Sequence, residues 1–283
     1  MSPILHKSQP VLDHGFVRVI DYMGDDSSIV QAARVSSGSG TKSAEENRRL
    51  IRYLMRHAHT SPFEMCEIKL HIKLPIFVAR QWIRHRTASV NEYSGRYSVL
   101  GRDYYIPRPD VVAVQSTSSR QGRGEALPYA DANEVVGMIG RNADEAYRTY
   151  ERLLDGSTDP IRPGLARELA RTVLPVGFYT EWYWKIDLHN LLHFLELRLA
   201  TDAQYEIRAY AEQVAAIVAG WVPLTYEAFV DYRLSGVRLS RAAAVAISEA
   251  LTGVHVRRQE NGLTDSEWKD LKERFGFVED DRA

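Results

Sequence analysis

The sequence predicts an α/β or an α+β fold, and we expect α+β, with a mixed sheet flanked by helices and a C-terminal half rich in helix. Three observations support this class. Segments of β-rich or alternating residues lie near the start and in the middle of the chain. Longer segments with helical spacing of apolar residues lie between and after them. Hydrophobic residues make up 45% of 283 residues, which is enough to bury a substantial core.

Three segments are predicted to be strands. Residues 16–21 (FVRVID) are rich in β-branched and aromatic side chains. Residues 67–74 (EIKLHIKL) alternate strictly between polar and apolar, which indicates a strand with one buried face. Residues 176–186 are strand-like, and their aromatic run is predicted to serve the core or a subunit interface.

The first helices are predicted from capping residues. Ser27 or Ser28 is expected to cap a helix over 29–35. Ser43 and Glu46 form a capping-box pattern before a second helix. Pro75 is expected to open a third helix that runs to the basic triplet at 84–86. A polar loop is then predicted over 87–102.

The C-terminal half is predicted to be mostly helical. Residues 116–124 (STSSRQGRG) are expected to be the most mobile stretch. Helices are predicted over 131–154, 165–173, 188–199 and 203–222, the last closed by Pro223. The composition changes at Leu234, so we divide the chain into a main domain at 1–233 and a C-terminal helical extension at 234–283.

Composition argues against several classes of protein. Lys and Arg number 36 and Asp and Glu 37, a net charge of −1 that points to neither nucleic acid nor a membrane surface. The N-terminus lacks the apolar segment of a signal peptide, and no stretch has the length of a membrane span. The one cysteine, Cys66, allows neither an internal disulfide nor a cysteine-rich zinc site. We therefore expect a cytoplasmic protein, with Cys66 buried and inert.

The most unusual stretch is 84–96, RHRTASVNEYSGR. Arginine side chains offer a planar fork of donors that matches phosphate. Gly95 lets the backbone approach a ligand closely, and Glu92 can accept from a ribose hydroxyl. These groups suit a nucleotide monophosphate or a flavin pyrophosphate, whereas the alternative is a solvated basic loop at a helix end. A nucleic-acid-binding surface is a second alternative, which the near-neutral charge disfavours.

This stretch fits the signature RHRxxSxNExSxR at all eight fixed positions and so resembles the flavin-dependent thymidylate synthases. The matching residues are Arg84, His85, Arg86, Ser89, Asn91, Glu92, Ser94 and Arg96. The resemblance extends upstream to HAHTSPFE and PIFVARQW and downstream to ARTVLP and HFLELR. It covers roughly residues 15–232.

The resemblance implies methylation of dUMP to dTMP, with 5,10-methylenetetrahydrofolate as carbon donor and NADPH-reduced FAD as hydride source. It also implies a homotetramer whose active sites are shared between subunits. Arg198 corresponds to the catalytic arginine that binds the uracil ring. The implied FAD contacts are His59, Ser61, Arg84, His85, Arg86, Glu92, Asp187, Leu188, His189 and His193. The implied dUMP contacts are Gln81, Trp82, Ile83, Arg84, Glu92, Tyr93, Ser94, Gly95, Arg96, Arg171 and Arg198.

One segment departs from the family pattern. The commoner family pattern of Asn-x-Arg followed by Asn is replaced here by Asp187, His189 and His193. The spacing is retained, so we expect these residues still to line the flavin site. His189 and His193 are one helical turn apart and could face one ligand. The alternatives are a metal pair or two histidines on the helix surface, but a third metal ligand is not evident and no metal is predicted.

Overall fold

A five-stranded sheet in the order β1-β2-β3-β7-β4 organises the chain. The computed structural model describes residues 5–35, 43–117, 120–155, 163–251 and 265–276. The strands are β1 (Ser8–Val11), β2 (Gly15–Met23), β3 (Glu67–Pro75), β4 (Ser89–Glu92) and β7 (Tyr179–Asp187). The three predicted strands are therefore confirmed as β2, β3 and β7, and β3 shows the expected alternation of buried and exposed residues.

Every strand pair in this sheet is antiparallel. The class is α+β as predicted, but the sheet is not the mixed one that we expected. The connection between β3 and β7 is long and carries helices, so it can return the chain in either direction. A separate hairpin of β5 (Ala113–Gln115) and β6 (Arg123–Ala126) forms at the edges of the stretch predicted to be mobile, of which residues 118–119 lie outside the described part.

The first helices are α1 (Asp26–Val35), α2 (Ala44–Arg56), α3 (Ser61–Glu64) and α4 (Ile76–Trp82). The capping box of Ser43 and Glu46 is confirmed. The predicted cap at Ser27 or Ser28 is wrong, because the carboxylate of Asp25 accepts from both of their backbone N–H groups. Pro75 ends β3 instead of opening α4, since its backbone is extended.

The later helices are α5 (Tyr129–Leu154), α6 (Arg167–Ala170), α7 (Leu188–Arg198), α8 (Tyr205–Trp221) and α9 (Pro223–Phe229). Pro223 closes α8 as predicted and is also the first residue of α9, where a proline is favoured. The backbone N–H groups of Leu224 and Thr225 donate to the Asp26 carboxylate, both at 2.9 Å. A π-helical turn, Val230–Leu234, follows.

The core lies between the apolar face of the sheet and helices α4, α7 and α8. Trp82 sits at its centre, with edge-on contacts to Trp182, Trp184 and Tyr210 and a tilted contact to Phe194. Most of the aromatic run on β7 is thus core, while Tyr183 faces outward and is 44% exposed. A smaller cluster joins α5 to Phe178 through Tyr147 and Tyr150.

The chain divides into two compact units, Met1–Leu234 and Ser235–Ala283. In the second unit, helices α10 (Arg241–Leu251) and α11 (Asp265–Phe275) pack through Ala243, Ala246, Trp268 and Leu271. Among the described residues, no helix is both long and apolar enough to cross a membrane.

Candidate functional site

The basic triplet Arg84, His85 and Arg86 lies in a turn just beyond α4. We predicted that the helix ends in this triplet, but it ends earlier, at Trp82. The helix tightens where Arg84 N–H donates to the Gln81 carbonyl at 3.4 Å and His85 N–H to the Trp82 carbonyl at 3.0 Å. As a result, both arginines are exposed while His85 is half-buried between them.

Arg198, the last residue of α7, forms a pair with His85. Its Nε donates to His85 Nε2 at 3.0 Å, and its Nη2 donates to the Gln81 carbonyl at 3.4 Å. Because Nε2 of His85 accepts this bond, the imidazole is neutral and carries its proton on Nδ1. Burial, together with Arg198 and His193, lowers the pKa of His85 to about 4.

The guanidinium of Arg198 is itself partly buried. Burial and the nearby charge of Arg84 lower its pKa, but an arginine remains protonated at any physiological pH. Part of its hydration has been replaced by one imidazole nitrogen and one carbonyl oxygen. This leaves a positioned cation whose remaining donors can stabilise an anion, such as an ionised pyrimidine ring.

A cavity of about 250 Å³ opens beside this pair, between α2, α3 and α7. His189 and His193 of α7 line one wall and His59 another, so three of the predicted FAD contacts lie around one cavity. Asp187 caps α7, since its carboxylate accepts from the backbone N–H and the side-chain amide of Asn190 at 2.9 and 2.7 Å. The other lining residues are Met55, Ala58, Thr60, Phe63, Asn190, Leu192, Glu196, Phe229 and Arg233.

This lining fits a planar heteroaromatic ring. Apolar walls face the ring surfaces, and imidazole and amide groups can bond its edge. A volume of about 250 Å³ is below the ~300–1,000 Å³ of a pocket that encloses a whole drug-sized ligand. The cavity therefore suits one part of FAD, and the rest of the cofactor would lie on the surface outside it. His193 lies between this cavity and the Arg198 pair, with its ring centroid 6.0 Å from that of His85.

The second half of the motif lies on a strand. We predicted a loop over 87–102, but Ser89–Glu92 forms β4 and pairs with β7 at the edge of the sheet. The Thr180 hydroxyl donates to Glu92 Oε1 at 2.8 Å, which fixes that carboxylate on the sheet. The next residue, Tyr93, donates its N–H to the Glu181 carbonyl at 2.8 Å.

Ser94, Gly95 and Arg96 form the turn after β4 and lie against Arg171. A Cβ built on Gly95 would be 3.3 Å from Cδ of Arg171 and 3.1 Å from Leu100, so a side chain there would push on the arginine. Arg96 Nε donates to the Glu168 carboxylate at 2.9 Å, and both side chains are exposed. The resemblance-derived dUMP residues of this half are thus brought together.

Three arginines of the site lack a counter-ion among the residues that the structure describes. Among the described residues, no hydrogen bond or ion pair engages the side chains of Arg84, Arg86 or Arg171. We call Arg198 with its partners His85 and Gln81 the Arg198 group, and Arg96 with Ser94 and Gly95 the Arg96 group. Within the described ranges, no hydrogen bond or ion pair joins the two groups. Both groups carry arginine side chains that can bind an anion.

Some predicted contacts lie in the core. The side chains of Trp82 and Leu188 are fully buried, so neither can reach a ligand except through its backbone. Ile83 is partly buried at the end of α4, and Ser61 is an exposed residue in the first turn of α3. No group of three His, Cys, Asp or Glu side chains suited to a metal ion occurs in the part of the chain described.

The cavity residues that sequence reasoning missed include two charged ones, Glu196 and Arg233, whose side chains approach to 3.6 Å. Arg233 lies on the π-helical turn, and such turns are rare and often functional, but they leave no clear sequence signal. Cys66 is confirmed as buried, and burial with Asp25 and Asp26 raises its pKa to about 12.

The sequence is similar to known proteins along most of its length. The family model for "Thymidylate synthase complementing protein" matches residues 18–224. A flavin-dependent thymidylate synthase of Ruegeria pomeroyi is 55% identical over 276 residues, covering 98% of this chain and 90% of the relative. One from Rickettsia prowazekii is 54% identical, covering 97% and 96%.

Solved structures agree as well. The UMP/dUMP methylase PolB of Streptomyces cacaoi, bound with 5-Br UMP, has a TM-score of 0.70 and 36% identity, covering 79% of this chain and 96% of that one. Its 5-Br dUMP complex has a TM-score of 0.71 and 33% identity, covering 80% and 99%. A family match over most of the main unit, and relatives above 50% identity along nearly the whole chain, lead to one conclusion: this chain belongs to the flavin-dependent thymidylate synthases.

Proposed function

We propose that this protein converts dUMP to dTMP, with 5,10-methylenetetrahydrofolate as carbon donor and NADPH as the source of reducing equivalents. The observation that carries the proposal is the arrangement of positioned cations around the RHR turn and the turn after β4. Arg198 is partly buried and held by His85, while Arg84 and Arg171 have no acidic partner among the described residues. Such cations suit a nucleotide that is anionic at its phosphate and during reaction at its base.

The nucleotide phosphate would be bound by the turn after β4. Gly95 keeps that turn open against Arg171, and the hydroxyl of Ser94 and the guanidinium of Arg96 lie on the same turn. Glu92, fixed by Thr180, would accept from a sugar hydroxyl. Gln81, Ile83, Arg84 and Tyr93 complete the proposed contacts, with Trp82 contributing only its backbone.

Arg198 would act on the base. A uracil that has lost the proton at N3 carries its charge on the ring nitrogen and the flanking oxygens, and this charge enriches C5, the carbon that must gain the new carbon unit. A guanidinium next to those atoms stabilises the anion and cannot itself lose a proton. His85 keeps the guanidinium oriented without adding a competing charge, because its imidazole is neutral.

FAD would be held by His59, Ser61, His189 and His193 around the cavity and by the RHR turn outside it. Asp187 and Leu188 set the start of α7 and hence the direction of both α7 histidines. When bound, this cofactor supplies the hydride chemistry that no amino-acid side chain offers. The protein would orient the flavin ring, shield it from water with Phe63, Leu192 and Phe229, and supply the charged side chains around it.

We further propose a homotetramer in which one subunit supplies the Arg198 group and another the Arg96 group of each site. This proposal follows from the resemblance to the flavin-dependent thymidylate synthases, which implies active sites shared between subunits. The first compact unit would be the catalytic domain, and the second a C-terminal helical extension.

Absorbance of the purified protein tests the proposal. We expect a yellow protein whose flavin band bleaches anaerobically on adding NADPH, and dTMP formation that depends on dUMP, methylenetetrahydrofolate and NADPH together. A colourless protein that takes up no added FAD, or flavin-loaded protein that makes no dTMP, would overturn it. The matched control is the Arg198→Ala variant, whose flavin band should bleach on adding NADPH although no dTMP forms.

A further inference from the structure

A chain of hydrogen bonds behind the nucleotide site ends on a buried carboxylate. Glu206, in the first turn of α8, is only 2% exposed. Its Oε1 accepts from the Tyr105 hydroxyl at 3.0 Å and from Nη2 of Arg123, which reaches in from the β5–β6 hairpin. Its Oε2 accepts from Nε2 of Gln204 at 2.8 Å.

Gln204 continues the chain outward to Gln81. The Nε2 amide of Gln81 donates to Oε1 of Gln204. Gln81 is one of the proposed dUMP contacts, and its backbone carbonyl also accepts from Arg198 at 3.4 Å. The same residue is thus held at its backbone by the proposed catalytic arginine and at its side chain by Gln204.

The direction of these bonds follows from the charge of Glu206. Burial raises the pKa of this carboxyl, but the hydrogen bonds from Arg123 and Gln204 outweigh that effect, and the pKa lies below its usual value. An ionised carboxylate can only accept hydrogen bonds. Gln204 must therefore turn its NH₂ group towards Glu206, which leaves its carbonyl oxygen facing Gln81.

The same logic applies to the next link. A carbonyl oxygen on Gln204 can only accept, so Gln81 must turn its own NH₂ group inward. Its Oε1 then faces away from Gln204, and among the described residues no group donates to it. We propose that Glu206, acting through Gln204, positions the Gln81 amide so that its carbonyl oxygen accepts a hydrogen bond from the nucleotide.

This assignment rests on the proposed function, because it needs dUMP beside Gln81. Glu206 and Gln204 are positioning residues, which touch the substrate only through Gln81. Without them the Gln81 amide could rotate and present N–H where the nucleotide also has a donor. Substrate binding would weaken, while the chemistry at the ring would be unaffected.

We call the hydrogen-bond chain from Glu206 through Gln204 to Gln81 the relay. A double-mutant cycle on the full-length, FAD-loaded protein tests it. The variants are Gln81→Leu, Gln204→Leu and the two combined, with dUMP affinity read from the flavin absorbance change. We expect each single variant to raise the Kd by about tenfold, the worth of one well-made hydrogen bond. The combined variant should also bind dUMP about tenfold more weakly than wild type, because both substitutions break the same chain of hydrogen bonds.

The control is Gln31→Leu, a matched substitution of an exposed glutamine on α1, which should leave the Kd unchanged. Steady-state rates give a second readout: KM for dUMP should rise in Gln204→Leu while kcat is retained, with normal flavin content and thermal stability. Gln204 is exposed, so this variant should fold, and Gln204→Met provides a second apolar replacement at the same site.

Two results would overturn the relay: a normal Kd in Gln204→Leu, or a combined loss near a hundredfold, which would mean that the two glutamines act independently. A wild-type protein that binds FAD but not dUMP would instead contradict the proposed function itself. The two failures are therefore distinguishable in one set of titrations.

Discussion

The bond between Arg198 and His85 predicts how stability changes with pH. The pKa of His85 falls from 6.5 to about 4 on folding. Between these values the unfolded chain binds a proton that the folded chain rejects, so this residue makes the folded state less stable as pH falls from about 6.5 to 4. Above pH 6.5 its contribution vanishes, and below pH 4 the loss no longer grows.

The size of the effect follows from the same two values. If His85 were fully shielded from solvent, lowering the pH from 7 to 5 would reduce the free energy of unfolding by about 1.8 kcal/mol. His85 is only half-buried, so solvent screening reduces this to about 1 kcal/mol. The perturbation is His85→Gln, which keeps an oxygen to accept from Arg198 but cannot titrate, and the assay is urea unfolding at both pH values.

We expect wild type to lose about 1 kcal/mol more than His85→Gln between pH 7 and 5. All other titratable groups are common to both proteins and cancel in this difference. Identical pH dependence in the two proteins would show that His85 is not neutral and buried as described. His85→Phe, which removes the acceptor, should lower kcat, whereas His85→Gln should retain most of it.

Further predictions concern Arg198, Arg96 with its partner Glu168, and the buried Cys66. Arg198→Ala should reduce dTMP formation by about a hundredfold or more, the loss expected on removing one charge-stabilising donor, while NADPH still bleaches the flavin; unchanged turnover would refute its role. Arg96→Ala should weaken dUMP binding about tenfold while the FAD content stays normal. Glu168→Gln should strengthen dUMP binding two- to fivefold, because it removes the exposed carboxylate that competes for Arg96. Loss of FAD in Arg96→Ala, with normal dUMP binding, would instead assign Arg96 to the flavin. Cys66→Ala should keep full turnover, because the thiol is buried with a pKa near 12. Loss of the buried side chain should lower the free energy of unfolding by about 1 kcal/mol. A folded but inactive variant would contradict this prediction.

The sheet could be predicted where side chains alternate in burial and not where pairing alone makes the strand. β3 alternates along its whole length and was predicted almost to the residue. β4 has four exposed residues, so its pattern does not differ from a polar loop. It is a strand because β7 offers a free edge, which is a tertiary fact that no local pattern contains.

The limits at helix ends have a similar cause. Helix α9 begins at Pro223, a residue that the sequence suggested only as a stop. The carboxylate of Asp26, nearly two hundred residues earlier, accepts from its first free N–H groups. The capping box at Ser43 was predictable because both of its partners lie within one turn.

The candidate site divides in the same way. The arginines of the motif could be recognised from their order along the chain. Which of them meet could not, and the structure places Arg198 on His85 and Arg171 behind Gly95. The hydrogen bond that Gln81 donates to Gln204 corresponds to no sequence pattern and results only from the packing of α4 against α8.

The pairing of β3 with β7 has a consequence for biogenesis. β3 finds β2 soon after it is made, but its other edge is complementary to residues 179–187, which leave the ribosome about a hundred residues later. Until then a strand with one apolar face offers a row of open donors and acceptors to any neighbouring nascent chain. Completion of the sheet is therefore a late, long-range event, and yield in the cell should depend on how well that edge is shielded while synthesis continues.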